Sequence, residues 1–281
     1  MVFYDFIEIG TSDFDTEIEK EDNKIGISIE PVTFYLDRLK NKKDCIKMNI
    51  GISNYSGKCK VYYVPEHNIN KYNFPSWVRG CNSINVYHKT VSNLCKDRNI
   101  NIEEITESYE IDVQTLYQTM KQLAIEGVYY LKIDTEGHDT IILKKFYEDL
   151  LDNAYLPHVI LFESNVLSND KDVEEIIQLF IGKGYDLIEK ENDTKLQLNL
   201  TNLKNKVRFS NSIKNYYIAS EYPPNYDVTN LPHENTLESA KNYCIKYKCS
   251  GVTLNNGVYE VRNGKNIYYN NKGAFVSWIF L

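Results

Sequence analysis

Short apolar runs that each end in an acidic residue recur along the chain. Four of these runs end at Glu8, Glu30, Asp134 and Glu163, and helix-competent segments lie between them. Alternating strands and helices are typical of a doubly wound, mostly parallel sheet with helices on both faces. Ligands bind outside the carboxyl ends of the strands in such sheets. The four acids therefore predict a catalytic site at that edge.

The first run leads into a turn at Gly10. Ile9 precedes the glycine, and a polar stretch then leads to a helix-competent segment. An apolar strand, a glycine turn and a helix start are typical of nucleotide-binding α/β folds. Glycine allows a sharp turn and a close approach of the backbone to a ligand. By itself the pattern also fits any buried strand that ends in a turn.

The second run, at residues 25–31, ends in Glu30 and Pro31. Glu30 lies twenty positions after Gly10 (30 − 10), where a doubly wound fold places the acid that binds ribose hydroxyls. Pro31 fits the first turn of a following helix, where its missing N–H costs nothing. The alternative for Glu30 is a solvated acid at a strand end.

The turn after Gly10 lacks the glycines of a dinucleotide-binding loop. Ser12 and Asp15 stand at the later glycine positions of G-x-G-x-x-G. Asp13 and Asp15 would repel a pyrophosphate and favour a cation. S-adenosylmethionine carries an ammonium and a sulfonium, so it fits this turn better than a nicotinamide dinucleotide does.

Composition excludes several classes of protein. The net charge of −7 argues against a nucleic-acid surface, which needs clustered Lys and Arg. No apolar stretch is long enough to span a bilayer, and the N-terminus lacks a signal-peptide pattern, so we expect a cytoplasmic protein. Six cysteines without zinc spacing predict buried thiols, with Cys244 and Cys249 as the pair whose redox state is open.

A long stretch at residues 65–87 shows no regular pattern. Loops of this length within a compact domain are usually functional or disordered, and its aromatic and Arg content favours a packed lid over a ligand site. Four of its residues offer an aromatic face and hydrogen-bond donors suited to a sugar, namely Trp77, Arg79, Asn82 and Ser83. Trp77 also fits a core position.

Several of these stretches together resemble the FkbM-type methyltransferase family of class I S-adenosylmethionine-dependent enzymes. The resemblance covers about residues 1–200 and rests on F-I-E-I-G-T-S at 6–12, I-E-P at 29–31, the hairpin at 49–57, L-K-I-D-T-E-G at 131–137, and G-Y-D-L at 184–187. The family commonly has G-A-N-x-G in the first loop, where this chain has Ser12 for the Asn and Phe14 for the last Gly.

The resemblance implies a Rossmann-like fold and an S-adenosylmethionine site. The methionine part of the cofactor would contact the first strand and its loop, that is Glu8, Ile9, Gly10, Thr11, Ser12, Asp13, Phe14, Asp15 and Thr16. Glu30 and Pro31 would lie at the ribose, and Ile50, Gly51 and Ile52 near the adenine. The family mostly methylates hydroxyl groups, often of sugars or natural products.

Methyl transfer to an oxygen requires aligned reactants and removal of the hydroxyl proton. Asp134, Glu136 and His88 are the candidate bases, and His138 is a weaker one. Asp134 ends a strand that faces the cofactor cleft, whereas His88 has the more suitable ordinary pKa. Both histidines also fit surface positions, and Glu136 also fits a helix cap.

Glu163 is predicted to contact the substrate. Asp134, Glu136 and Glu163 could instead hold a divalent cation through oxygen ligands, although no recognisable metal-binding loop surrounds them. The prediction from the sequence is a site without a metal.

The pattern changes near residue 222, which predicts a methyltransferase domain at 1–221 and a small α+β C-terminal extension at 222–281. Thr236 is a candidate helix cap, and residues 251–262 read as a hairpin with an Asn-Gly turn. This segment resembles apple-type modules that occur beside carbohydrate enzymes of large DNA viruses. The resemblance implies glycan binding, dimer formation or stabilisation, and a viral protein acting in host cytoplasm.

Three functions remain open from the sequence. The first is an S-adenosylmethionine-dependent O-methyltransferase that acts on a sugar, a glycan or another hydroxyl-bearing acceptor. For this function a homodimer is also considered. The second is a nicotinamide-dependent oxidoreductase. The third is an inactive Rossmann-like scaffold with a carbohydrate-binding tail.

Overall fold

The computed structural model describes residues 2–10, 12–13, 15–20, 23–150, 156–203, 208–219, 236–270, 272 and 275–281. In chain order its strands and helices are β1 (Val2–Ile9), α1 (Glu17–Lys20), β2 (Gly26–Ile29), α2 (Thr33–Arg38), β3 (Cys45–Met48), β4 (Gly51–Ile52), β5 (Gly57–Tyr63), α3 (Glu66–Lys71), a 3₁₀ helix (Ser76–Gly80), β6 (Ser83–Ile84), α4 (Lys89–Asp97), α5 (Ile102–Ile105), β7 (Glu107–Gln114), α6 (Leu116–Gln122), β8 (Ile125–Ile133), α7 (Asp139–Asp149), β9 (Val159–Glu163), α8 (Asp170–Gly182), β10 (Tyr185–Lys190), β11 (Asp193–Leu198), β12 (Ile213–Lys214), β13 (Tyr216–Ile218), α9 (Leu237–Tyr247), β14 (Gly251–Asn255), β15 (Val258–Arg262), β16 (Ile267–Tyr269) and β17 (Phe275–Ile279).

The main sheet contains seven strands within the described part of the chain, in the order β10-β11-β9-β8-β1-β2-β3. The five strands from β9 to β3 are parallel, and β11 runs antiparallel to both of its neighbours. The predicted α/β class with a mostly parallel sheet is confirmed. The carboxyl ends of β1, β2 and β8 consequently meet at one edge.

Helices cover both faces of this sheet. Phe6 packs with Ile18 of α1 and Leu36 of α2. Its neighbour Ile7 belongs to a separate, larger core that also contains residues of α7 and α8, such as Phe146. Adjacent residues of a strand point to opposite faces, so α1 and α2 lie on one side and α7 and α8 on the other.

The chain leaves the main sheet between β3 and β4. The resemblance implies a hairpin at 49–57, but β4 and β5 lie on opposite sides of β7 in a second sheet of order β4-β7-β5-β6. The Asn49 side chain donates to the carbonyls of Glu30 (3.0 Å) and Pro31 (2.9 Å). These bonds hold the chain at the point where it turns from one sheet to the other.

Two further expectations are corrected. Residues 65–87 contain α3, the 3₁₀ helix and β6, because Val64, Ile69 and Val78 form a small buried core of their own. Pro31 precedes α2 and is not in its first turn. The Glu30 carboxylate accepts the Val32 N–H (2.7 Å), which holds Val32 extended at φ −85° as the N-cap.

The C-terminal residues form two small sheets around α9. Thr236 caps α9 by accepting the Ser239 N–H (3.2 Å), and β14 and β15 form the predicted hairpin. β12 pairs with β17, and β13 pairs with β16. The strands at 213–218 therefore share sheets with residues after 236. The predicted domain boundary at 221–222 lies outside the described residues.

Buried contacts join this C-terminal part to the main sheet. Tyr216 Oη donates to Asp5 Oδ1 of β1 (2.6 Å), and Ile213, Ile218 and Ile267 belong to the same core as Ile7. Cys45, Cys59, Cys81 and Cys95 carry free thiols, and Cys244 and Cys249 are fully buried. Among the described helices, each is too short or too polar to cross a bilayer.

We expect Tyr216→Phe to lower the free energy of unfolding by about 1–3 kcal/mol, because the buried Asp5 Oδ1 loses its donor while Oδ2 keeps the Ile25 N–H. Urea denaturation measures the change. Tyr217→Phe removes a hydroxyl from the neighbouring strand residue and should leave stability nearly unchanged. Equal effects of the two substitutions would contradict the role of the Tyr216–Asp5 bond.

Candidate active site

A cavity of about 470 Å³, partly open to solvent, lies at the carboxyl ends of β1, β2 and β8. It is lined by Ile9, Gly10, Glu30, Pro31, Gly51, Ile52, Val61, Gly80, Asn82, Ser83, Ile84, Asp134, Thr135, Glu136 and His138. The structure thus brings together acids from the ends of β2 and β8, as expected for a parallel sheet.

Gly10 follows β1 and lies close to the end of β8. Its φ is +79°, and a Cβ there would be 2.4 Å from the Asp134 carbonyl oxygen and 2.8 Å from Thr135 Cγ2. Its N–H donates to Ile29 O (2.8 Å). Glycine is needed here because the turn packs against the end of β8, a reason that the sequence pattern did not reveal.

Glu30 is buried at the floor of the cavity. Its two carboxylate oxygens accept the backbone N–H groups of Ser12 (2.9 Å) and Val32 (2.7 Å). Burial, with smaller contributions from the charges of Asp134 and Asp13, raises the pKa of Glu30 to about 7. Glu30 therefore holds the turn after β1 and the start of α2 in place, and its carboxylate also reaches the cavity.

Asp13 and Asp15 lie outside the lining of this cavity. Asp13 contacts two guanidinium groups, Arg38 Nη1 at 3.0 Å and Arg79 Nε at 3.5 Å. Asp15 pairs with Lys132 Nζ (2.7 Å) and is largely exposed. Both acids are thus matched by cations of the protein itself, which weakens the electrostatic reason for placing a cationic ligand against them.

The remaining predicted residues of the first loop differ in their position relative to the cavity. Ser12 is buried, and its Oγ accepts from Asn82 Nδ2 (3.0 Å), which connects the loop to the segment after the 3₁₀ helix. Thr16 is buried and outside the cavity lining. Thr11 and Phe14 lie outside the described residues.

Glu8 supports the fold around the site. It is fully buried, and its carboxylate accepts from Ser28 Oγ and from the backbone N–H groups of Glu17 and Ile18. Burial raises its pKa. These bonds connect β1 to β2 and to the start of α1, and the side chain is not part of the cavity lining.

Asp134 lines the cavity close to other acidic residues. Burial, followed by the charges of Asp139 and Glu136, raises its pKa to about 7. Asp139 is fully buried and accepts from Thr135 Oγ1 (2.8 Å) and from the Glu163 N–H (3.2 Å). Asp139 therefore fixes the turn that presents Asp134, a role absent from the sequence prediction.

Glu163 lies beside this turn, outside the cavity lining. Asn165 donates to its Oε1, and burial followed by the Glu136 charge raises its pKa to about 8. One carboxylate oxygen from each of Asp134, Glu136 and Glu163 lies within 4.8 Å of the other two, a spacing at which oxygen ligands can hold a divalent cation.

His88 is buried behind Glu136 and is separate from the cavity lining. Its Nδ1 accepts the Thr90 N–H (3.2 Å), so the neutral ring carries its proton on Nε2, which lies 3.0 Å from Glu136 Oε2. Cys81 lies close to both residues. With this tautomer the ring has no lone pair left for a metal or for a substrate proton, so His88 is suited to positioning Glu136.

His138 faces the cavity. Burial lowers its pKa, and its Nε2 lies 2.9 Å from Ser53 Oγ. Among the predicted acceptor residues, Asn82 and Ser83 line the cavity, Arg79 pairs with Asp13, and Trp77 is 48% exposed outside the lining.

The apolar wall of the cavity comes from β5 and β6. Val61 and Ile84 are paired across these strands, and both line the cavity with Ile52. Ile50 packs against the main core instead. Sequence reasoning missed Val61, Gly80, Ile84 and Thr135, since the pairing of residues 23 positions apart (84 − 61) has no local signal.

A model of the methyltransferase FkbM domain matches residues 8–187, which include every described residue that lines the cavity. No curated protein and no solved structure matches the chain.

Proposed function

The chain belongs to the FkbM methyltransferase family, and on this premise we propose that it transfers a methyl group from S-adenosylmethionine to a hydroxyl group of a sugar or glycan. One observation carries the proposal: within the matched region, Glu30 and Asp134 lie in the same cavity at the strand ends. A cytoplasmic location and a homodimer stay predictions from the sequence.

The residues of the cavity fit this cofactor. Glu30 offers a carboxylate for ribose hydroxyls, and Ile52, Val61 and Ile84 offer an apolar surface for adenine. Asn82 Oδ1 is buried and, among the described residues, lacks a hydrogen-bond donor. An amino or hydroxyl group of a ligand would satisfy it. When bound, the cofactor supplies an electrophilic methyl group on a positively charged sulfur.

Asp134 is the proposed general base. A carboxylate whose pKa lies near 7 can accept the proton of the acceptor hydroxyl at neutral pH. Glu136, held by His88 on the far side, keeps a second carboxylate beside it. Ser83 Oγ is the proposed donor to a hydroxyl group of the acceptor, and Asn82 Oδ1 can accept from a ligand hydroxyl, since both residues line the cavity.

Calorimetric titration with S-adenosylhomocysteine and with NAD separates this proposal from the oxidoreductase alternative. We expect saturable binding of S-adenosylhomocysteine alone. Incubation with labelled S-adenosylmethionine and a panel of sugars and glycans then identifies the acceptor by transfer of label. Binding of NAD without S-adenosylhomocysteine would overturn the proposal.

We expect Glu30→Gln to weaken the binding of S-adenosylhomocysteine by about 10–100-fold. The amide would place an N–H donor against the backbone N–H of Ser12 or Val32, so one of these contacts is lost. Glu175→Gln makes the same chemical change at an exposed ion pair of α8 and serves as the control. Equal affinities of the two variants would remove Glu30 from the site.

A further inference from the structure

A second cavity, of about 550 Å³, lies at the opposite end of the main sheet. The start of β1 contributes Phe3, and the start of β8 contributes Val128. Among the described residues, most of the other walls come from residues 198–281, which follow the end of the family match at residue 187. Membership of the family therefore does not account for this cavity.

The cavity has an apolar interior and a polar mouth. Its interior is formed largely by Leu156, Leu198, Ile213, Ile267 and Ile279. At the mouth, Glu126 and residues 210–212 also line an adjoining open cleft of about 700 Å³. A molecule with an apolar part and a polar end matches this distribution.

A β-bulge directs Glu126 to the mouth. Val2 pairs with Ile125 and Phe3 with Gly127, so Glu126 is an extra residue in β8. Asn211 Nδ2 donates to its carboxylate. The Glu126 carboxylate and the Asn211 amide at the mouth can bind hydroxyl groups of a ligand. The carboxylate would repel a ligand whose polar end is anionic.

Among the described residues that line the adjoining cleft, the cation is Lys241, and it already contacts aromatic rings. Lys241 Nζ lies over the rings of Phe209 (5.0 Å) and Trp278 (5.8 Å). An anionic ligand would have to compete for this cation near Glu126. The polar end of the ligand is therefore expected to be uncharged and to carry hydroxyl groups.

His158 supplies a donor in the cavity wall. It is 3% exposed, and its Nε2 accepts the Ile267 N–H (3.4 Å), so the neutral ring carries its proton on Nδ1. Burial lowers the pKa of His158 to about 3, which keeps the ring neutral. Within the described residues Nδ1 has no hydrogen-bond partner. A buried donor without an acceptor is unfavourable, and a ligand oxygen would satisfy it.

We propose that this cavity binds a neutral amphipathic molecule with a hydroxyl-bearing head, of the acylglycerol class. The acyl chain lies among the Leu and Ile side chains, and the ester carbonyl accepts from His158 Nδ1. The glycerol hydroxyl groups contact Glu126 and Asn211 at the mouth.

The test uses the full chain and 1-octanoylglycerol below the concentration at which it aggregates. Calorimetry is expected to show saturable binding of one molecule per chain. Ile213→Phe fills the interior and should weaken binding by about tenfold or more. Ile245→Phe makes the same change at a 53% exposed position on α9 and should leave the affinity unchanged.

Leu281→Trp fills the cavity from another wall and serves as the second test if circular dichroism shows that Ile213→Phe does not fold. Octanoate, which has the same chain and a charged end, should bind more weakly than 1-octanoylglycerol. Absence of saturable binding, equal affinities of the filled and control variants, or tighter binding of octanoate would each overturn the proposal.

Discussion

Replacing Asp134 by asparagine is expected to lower kcat by about 10²–10⁴-fold, the range for removal of a general base. Asparagine keeps the shape of the side chain but cannot accept the proton of the acceptor hydroxyl. The affinity for S-adenosylhomocysteine should be nearly unchanged, because its sulfur is uncharged. Single-turnover rates and calorimetry measure the two effects separately.

Asp112→Asn is the matched control, since Asp112 is exposed in β7 of the second sheet. We expect it to leave kcat unchanged. In the unsubstituted protein, kcat should rise as the pH is raised through about 7, because Asp134 must lose its proton before it can act as a base. A kcat of Asp134→Asn equal to that of the control would exclude Asp134 from the mechanism.

Replacing Gly10 by alanine is expected to lower the free energy of unfolding by about 2–5 kcal/mol. A residue with a Cβ in the left-handed region costs about 1–2 kcal/mol, and forcing atoms into a packed site costs about 1–3 kcal/mol more. The new Cβ would lie 2.4 Å from the Asp134 carbonyl oxygen, a backbone atom that has little freedom to move.

Gly182→Ala is the control for Gly10→Ala. A Cβ at Gly182, at the end of α8, would meet nothing within 4 Å. Alanine is the better helix former, so stability should stay the same or rise slightly. Urea denaturation of both variants measures the difference. A loss below about 1 kcal/mol at Gly10 would show that the end of β8 can move.

The acids at the strand ends show which site residues can be predicted from the sequence. Glu30 and Asp134 could be predicted to lie together, because the carboxyl ends of parallel strands share an edge. Glu8 stands one position before the last residue of β1, and side chains alternate across a strand. Ile9 therefore lines the cavity, while Glu8 points towards α1.

The features of the site that the sequence could not predict depend on contacts between distant parts of the chain. The sequence shows two acids after Gly10, but not that Arg38 and Arg79 would contact Asp13. It shows a histidine at 88, but not that the Thr90 N–H would set its tautomer against Glu136. Such pairings depend on the packing of elements that have no local signal for one another.

The bond between Tyr216 and Asp5 connects residues 211 positions apart in the chain. Because β12 and β13 pair with β17 and β16, the first strand of the main sheet completes its packing only after residues 267–279 have been synthesised. Contacts of such long sequence separation slow folding. A fragment divided at residue 221 would separate these paired strands and leave sheet edges that invite aggregation.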